Sequence, residues 1–188
     1  MTTALDLAAA VALFACFAVF VIASVTMFRK DRGSRGYTLI QALSVSAIAA
    51  NVFAWAGGPV AVPALSLAAL ALAIISCALF FAGRAVVGDM GLDVAFTGDG
   101  PEQLATTGVY RMIRNPLYAA YIFHWFGWAV LLGFSAPALI AALVLLYVYH
   151  RAAEMEEAFL ASRFGTEYAR YRERSGRFLP RVHWWRGA

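Results

Sequence analysis

Three groups of residues in the second half of this chain have the types and spacing that chemistry needs. The first is GVYRMIRNPLY, residues 108–118, where Arg111, Arg114 and Asn115 stand just before Pro116 and a long apolar run. Asn is a favoured helix N-cap, and Pro at the first helical position gives up no donor that the helix uses. Asn115-Pro116 therefore predicts a helix start, with Arg111 and Arg114 as headgroup anchors. The same atoms suit a second purpose. A helix N-terminus offers free N–H groups and a positive dipole end to a carboxylate or phosphate, here flanked by Tyr110 and Tyr118. The second group is Glu154, Glu156 and Glu157. An acidic run usually makes a solvated helix face, but these residues directly follow an apolar stretch. A carboxylate at that depth needs a cationic partner, either a neighbouring arginine or an ammonium on a ligand. The third is His124, within an apolar run beside Trp125 and Trp128. An ionisable residue in such a run marks a candidate site. The simpler reading, slightly favoured here, is a neutral imidazole bonded to another helix. The three histidines have no metal-ligand spacing, and no metal site is expected. There is no Ser/His/Asp arrangement, no phosphate-binding P-loop and no dinucleotide fingerprint. Cys16 and Cys77 lie in apolar runs without a CxxC, and read as core filler.

The elements that must position these residues are membrane helices. Of 188 residues, 62% are hydrophobic and 14% charged, too apolar for a water-soluble domain. A spanning helix takes roughly 20 apolar residues. Three stretches qualify, Leu5–Phe28, Tyr37–Trp55 and Val62–Ala82, followed by two shorter ones, Pro116–Leu132 and Pro137–Tyr149. The link Gly133-Phe134-Ser135-Ala136 is so short that the last two form a tight antiparallel hairpin. Leu5–Phe28 is too long for a signal-peptide core and lacks a basic lead, so it reads as a retained span. Five spans put all 15 Lys and Arg on one side, which predicts a non-cytoplasmic N-terminus and a cytoplasmic C-terminus and active site. The formal net charge of +4 then points to anionic membrane lipids and not to nucleic acid.

Two segments exceed what spans require. Arg84–Gly108 is a long connector with five Gly or Pro positions, Gly88, Gly91, Gly98, Gly100 and Pro101, before Gly108; connectors of such length are commonly functional. The tail, Arg151–Ala188, has helical periodicity. Gly165 is placed to end one helix, Thr166 to cap the next, and Ser175-Gly176 to stop it. The expected organisation is three membrane helices in residues 1–83 and a catalytic region in 84–188, all-α throughout.

GVYRMIRNPLYAAY, a hairpin, then EMEEAFLASRFGTEYARYRERSGRFLP resemble the isoprenylcysteine carboxyl methyltransferase family of integral membrane methyltransferases, with the phospholipid methyltransferases as relatives. Gly108, Tyr110, Arg111, Arg114, Pro116 and Tyr118 match the first block of that pattern. Glu156, Glu157, Leu160, Phe164, Gly165, Tyr168 and Tyr171 match the second, and Gly176, Phe178 and Pro180 the close. The matched region is about Arg84–Val182. Asn115 departs from the family's usual His. The resemblance implies S-adenosylmethionine as cofactor, with S-adenosylhomocysteine as product, on the cytoplasmic side under a lid made by connector and tail. Carried over by position, Arg114, Asn115, Pro116, Leu117 and Tyr118 hold its methionine end and ribose. Glu156 and Glu157 face its ammonium or hydroxyls, and Tyr110, Phe164, Tyr168 and Phe178 form the adenine or lid wall.

The implied partner is a lipophilic or amphiphilic methyl acceptor that enters between helices. A sulfonium methyl is already activated, so alignment and exclusion of water do most of the work. A thiol or amine acceptor also needs a base, while a carboxylate needs only a pairing arginine, Arg151 or Arg177. Prenylcysteine carboxylate, aminophospholipid, quinone-like lipid and small thiol all stay open. Two other functions use the same placement: a membrane reductase binding NADPH, since helix N-termini with arginines also suit phosphates, and a catalytically silent scaffold.

Overall fold

In a computed structural model the described residues are 3–27, 35–58, 62–89 and 103–181. Among them are five α-helices and one short 3₁₀ turn. They are α1 (Ala4–Met27), α2 (Arg35–Ala56), α3 (Pro63–Asp89), η1 (Gly108–Arg111), α4 (Pro116–Leu131) and α5 (Ala136–Arg174). The described residues thus bear out the all-α expectation. Four of the helices, all but α4, are long and apolar enough to cross a membrane. With 16 residues, α4 rises about 24 Å at 1.5 Å per residue, short of a ~30 Å hydrocarbon core. Arg29, Lys30 and Arg32 of the first loop, residues 90–102 of the connector and the tail from Val182 lie outside the described residues, so the expected connector lid does too.

Named contacts give the packing order. Ser66 of α3 donates to Asp6 of α1. Further along the same two helices, Cys16 meets Cys77, and Phe20 lies 4.9 Å from Phe80. The offset stays near 60 residues, so α1 and α3 run parallel. Ser76 Oγ donates to the Ala120 carbonyl (2.7 Å), and Gly83 faces Leu117, so α4 runs back along α3. The α3–α4 pair is the most extensive contact, α1 lies on both, and α5 joins α4 to α2. Alanines fill the interior, among them Ala9, Ala69, Ala73, Ala120, Ala129 and Ala142. Small residues let backbones approach where lipid supplies no hydrophobic drive between helices. The outer faces are apolar, as at Phe53, which is 84% exposed, and Ile22; lipid-facing helices show this inversion.

Four sequence expectations need correction. Cys16 and Cys77 are a disulfide between α1 and α3, with Cα atoms 6.0 Å apart. Their separation of 61 residues hid the pairing, because only the parallel packing of α1 on α3 brings them together. His124 is fully buried, but neither ring nitrogen bonds another helix among the described residues. It sits among the rings of Phe17, Phe20 and Trp125 at 6.0, 5.4 and 4.9 Å. The fifth span and the first tail helix are one continuous helix, since nothing between Tyr149 and Phe164 breaks the pattern. The third helix runs on to Asp89, past the expected end at Ala82. Gly165 does interrupt α5, with φ +49°, a left-handed conformation that glycine adopts without Cβ strain. The final stop falls at Ser175, as its sequence suggests.

Candidate functional site

The N-terminus of α4 is held from three directions. Pro116 opens the helix and Asn115 is its N-cap residue by position, yet the Asn115 side chain makes no cap bond. Its Nδ2 instead donates to Glu157 Oε1 at 2.7 Å. This overturns the capping expectation: the charge-assisted bond from the amide nitrogen fixes the side chain's orientation, and its oxygen makes no cap bond. The Ala119 N–H is bonded to the Asn115 carbonyl (3.0 Å), which leaves the Leu117 and Tyr118 amides without a backbone or cap partner among the described residues. The helix start thus keeps two donors and its positive dipole end for something else.

Glu157 organises this wall. Only 6% exposed, it accepts from Arg114 Nε (2.9 Å), Asn115 Nδ2, and Arg177 Nε and Nη2 (3.1 and 3.0 Å). Arg114 also donates through Nη1 to the Ser175 carbonyl at 2.6 Å. The segment after α5 lies beside residues 112–115 as a strap. Gly176 N–H donates to Met112 O (2.9 Å), Arg114 N–H to Gly176 O (2.9 Å) and Asn115 N–H to Arg177 O (3.1 Å). Below it, the Tyr171 hydroxyl donates to the Tyr110 carbonyl at 2.8 Å.

Facing the wall is a cleft of about 920 Å³, open mouth included. Phe17, Phe20, Val21 and Ser24 of α1 line one side, and Tyr37, Ile40, Gln41 and Ser44 of α2 another. Both sets step by 3, 4 and 7, so each is one helical face. Tyr121, Trp125 and Tyr149 add an aromatic floor. Seven residues that sequence reasoning selected line it as well: Tyr110, Arg114, Asn115, Pro116, Leu117, Tyr118 and Glu156.

The two adjacent glutamates part company here. Glu157 is turned to the arginines, whereas Glu156 lines the cleft with Oε2 buried and unpartnered. The apolar stretch of α5 ends at Tyr149, and Glu156 lies about 10 Å further along at 1.5 Å per residue. Burial raises its carboxyl from 4.5 to about 7; the Tyr118 hydroxyl, bonded to it, opposes the rise, and the Glu157 charge adds to it.

The other selected residues lie off the cleft. Tyr168 is buried, 6.1 Å from Tyr171, its hydroxyl raised to about 12 by burial and then by the Glu157 charge. Phe164 is half-buried just before the Gly165 kink. Arg177 is engaged by Glu157 and, through Nη1, lies 2.9 Å from His150 Nε2. Arg151 is exposed and pairs with Glu154. Sequence reasoning missed the α1 and α2 faces. Their only signal is Ser24 on α1 and Tyr37, Gln41 and Ser44 at one per turn on α2, which the apolar composition masks.

Among the described residues no group of His, Cys, Asp or Glu is arranged to hold a metal. The arrangement offers an anion site at the α4 start, a lone carboxylate nearby, and an apolar cavity joining them.

Comparison with known proteins places this geometry. Residues 64–167, from α3 to past the Gly165 kink, match the phospholipid methyltransferase family model, which is more than half of the chain. The chain is 33% identical over 79 residues to protein-S-isoprenylcysteine O-methyltransferase of Schizosaccharomyces pombe, covering 42% of this chain and 34% of that protein. It is 31% identical over 103 residues to cobalt-zinc-cadmium resistance protein CzcN of Cupriavidus metallidurans, covering 55% of this chain and 47% of that one. The alignments thus span about a third and about half of those relatives' lengths. With its apolar helices, its Asn-Pro helix start and its paired glutamates inside the matched residues, the chain is a multi-pass membrane protein that belongs to the phospholipid methyltransferase family.

Proposed function

We propose that the protein is an integral membrane methyltransferase that uses S-adenosylmethionine and acts on a lipophilic acceptor. One observation carries the reading: two amides at the α4 start and the buried Oε2 of Glu156, all without a partner among the described residues, share one cleft. That pairing is complementary to a molecule bearing a carboxylate and a positive charge together. S-adenosylmethionine supplies, when bound, a methyl group already activated on a sulfonium. The Leu117 and Tyr118 amides take its carboxylate, and Glu156 answers its positive charge. Arg114 and Asn115, fixed by Glu157, keep the wall in one geometry. The aromatic floor excludes water from the reacting centre. NADPH fits less well, because Arg114, the arginine in the cleft lining, is already held by Glu157 and by the Ser175 carbonyl. The two-domain division at residue 83, the five-span topology, the lid and a cytoplasmic site are part of the same proposal.

Titration calorimetry of the full chain in detergent tests it. S-adenosylmethionine binds and NADPH does not. Glu156→Gln weakens binding at least tenfold, about 1.4 kcal/mol. Binding of NADPH, or of neither ligand, refutes the assignment.

A further inference from the structure

The cleft holds more information about the acceptor than the family match does, since α1 and α2 lie outside the matched residues 64–167. Among the described residues, two charged side chains line it, Arg114 and Glu156. Arg114 is committed to Glu157 and to the Ser175 carbonyl. Arg151 and Arg177 lie off the cleft lining, each on a glutamate. An acceptor carrying a carboxylate or phosphate into the cleft would meet the Glu156 charge and, among the described residues, no uncommitted cation. The remaining polar lining on α1 and α2 is uncharged: Ser24, Tyr37, Gln41 and Ser44. The Gln41 amide can both donate to and accept from a neutral polar head.

We propose that the methyl acceptor is an uncharged, weakly acidic X–H compound with an apolar body, a phenol or a thiol, and that Glu156 takes its proton. The inference rests on the methyl-transfer reading above. Its geometry is the buried, unpartnered Oε2 facing an apolar aromatic cavity. In the step, the X–H proton moves to Glu156 Oε2 and the lone pair on X forms a bond to the methyl carbon. The methyl–sulfur bond breaks with its electrons on sulfur, so that a sulfonium becomes a neutral thioether. The proton then leaves Glu156 for water. General-base transfer works best when the pKa values lie within a few units. Phenols near 10 and thiols near about 8.5 are in range of this carboxylate, while aliphatic alcohols are far outside it.

The test uses the full chain in detergent with three single-chain probes: 4-octylphenol, octanethiol and octanoate. Calorimetry without donor reads binding, and transfer of labelled methyl from S-adenosylmethionine reads chemistry. The phenol, the thiol or both bind at least tenfold more tightly than octanoate and accept methyl; the two arms show which. Glu156→Gln at saturating donor slows transfer to 4-octylphenol about 100-fold or more. The loss shrinks below tenfold on a nitro-substituted octylphenol that is already ionised at the assay pH. Equal losses on the two phenols mean that Glu156 serves the donor alone and overturn its role as proton acceptor. Methylation of octanoate, or of no probe while S-adenosylmethionine still binds, overturns the acceptor class. Failure to bind S-adenosylmethionine at all removes the methyl-transfer reading, and this inference with it.

Discussion

Asn115 shows how a residue's local and tertiary preferences compete. Sequence put it at the helix start correctly, but not its side chain, which a carboxylate 42 residues away captures. Capping physics predicts that Asn115→Asp is harmless and that Ala is costly. The structure predicts the reverse order. Ala loses a hydrogen bond to a charged group, worth about 1.5–3 kcal/mol, whereas Asp sets a second carboxylate against Glu157 and costs more. Melting temperatures of the two variants decide between them. Glu156 gives a second prediction. In the free protein its carboxyl titrates at about 7, raised by burial against the Tyr118 bond and with the Glu157 charge, while Arg114 is occupied elsewhere. Below that pH, binding a cationic ligand must first expel a proton; above it, the carboxylate is ready. Affinity for S-adenosylmethionine is therefore expected to rise with pH through about 7 and then level, with proton release near neutrality. Calorimetry in two buffers of different ionisation enthalpy measures the release, and an identical heat in both buffers counts against the role. The sequence singled out both glutamates. It gave no means of seeing that one faces the cleft and the other the arginines, because helix phase depends on where the neighbouring helices lie.

At the scale of elements, what was legible followed from local chemistry: the apolar runs, the Pro116 start, the Gly165 break and the Ser175 stop. What was hidden depended on packing across long separations, such as the Cys16–Cys77 pair and the cleft faces of α1 and α2. The strap lies between these cases. Ser175-Gly176 reads as a helix stop, but nothing in the sequence says that Gly176 then pairs with Met112 and Arg114. A Cβ on Gly176 would collide with the Leu179 carbonyl. Gly176→Ala is expected to displace the strap and release Arg177 from Glu157, since backbone cannot yield as a flexible side chain can. The expected result is a loss of S-adenosylmethionine affinity of tenfold or more with the membrane helices intact. Calorimetry beside circular dichroism checks it, and unchanged affinity would show the strap to be dispensable.

For the whole molecule, the distribution of charge sets orientation. Every Lys and Arg falls in the first loop, the connector, the start of α4 or the tail, so reporter fusions at Ala61 and Ala188 should report opposite sides of the membrane. Fusions reporting the same side would refute the five-span arrangement. The wall of the site is also assembled from pieces far apart along the chain: Arg114 reaches its carboxylate 43 residues on and its carbonyl partner 61 residues on. During synthesis Arg114 and Asn115 leave the ribosome well before residues 175–177, which directly follow α5. Through that interval Arg114 and Asn115 lack the backbone that aligns them. A nascent chain caught there has its first helices but not its wall. The wall is therefore completed late in translation, and a chain that stalls short of Arg177 has the apolar helices without the strap that aligns Arg114 and Asn115.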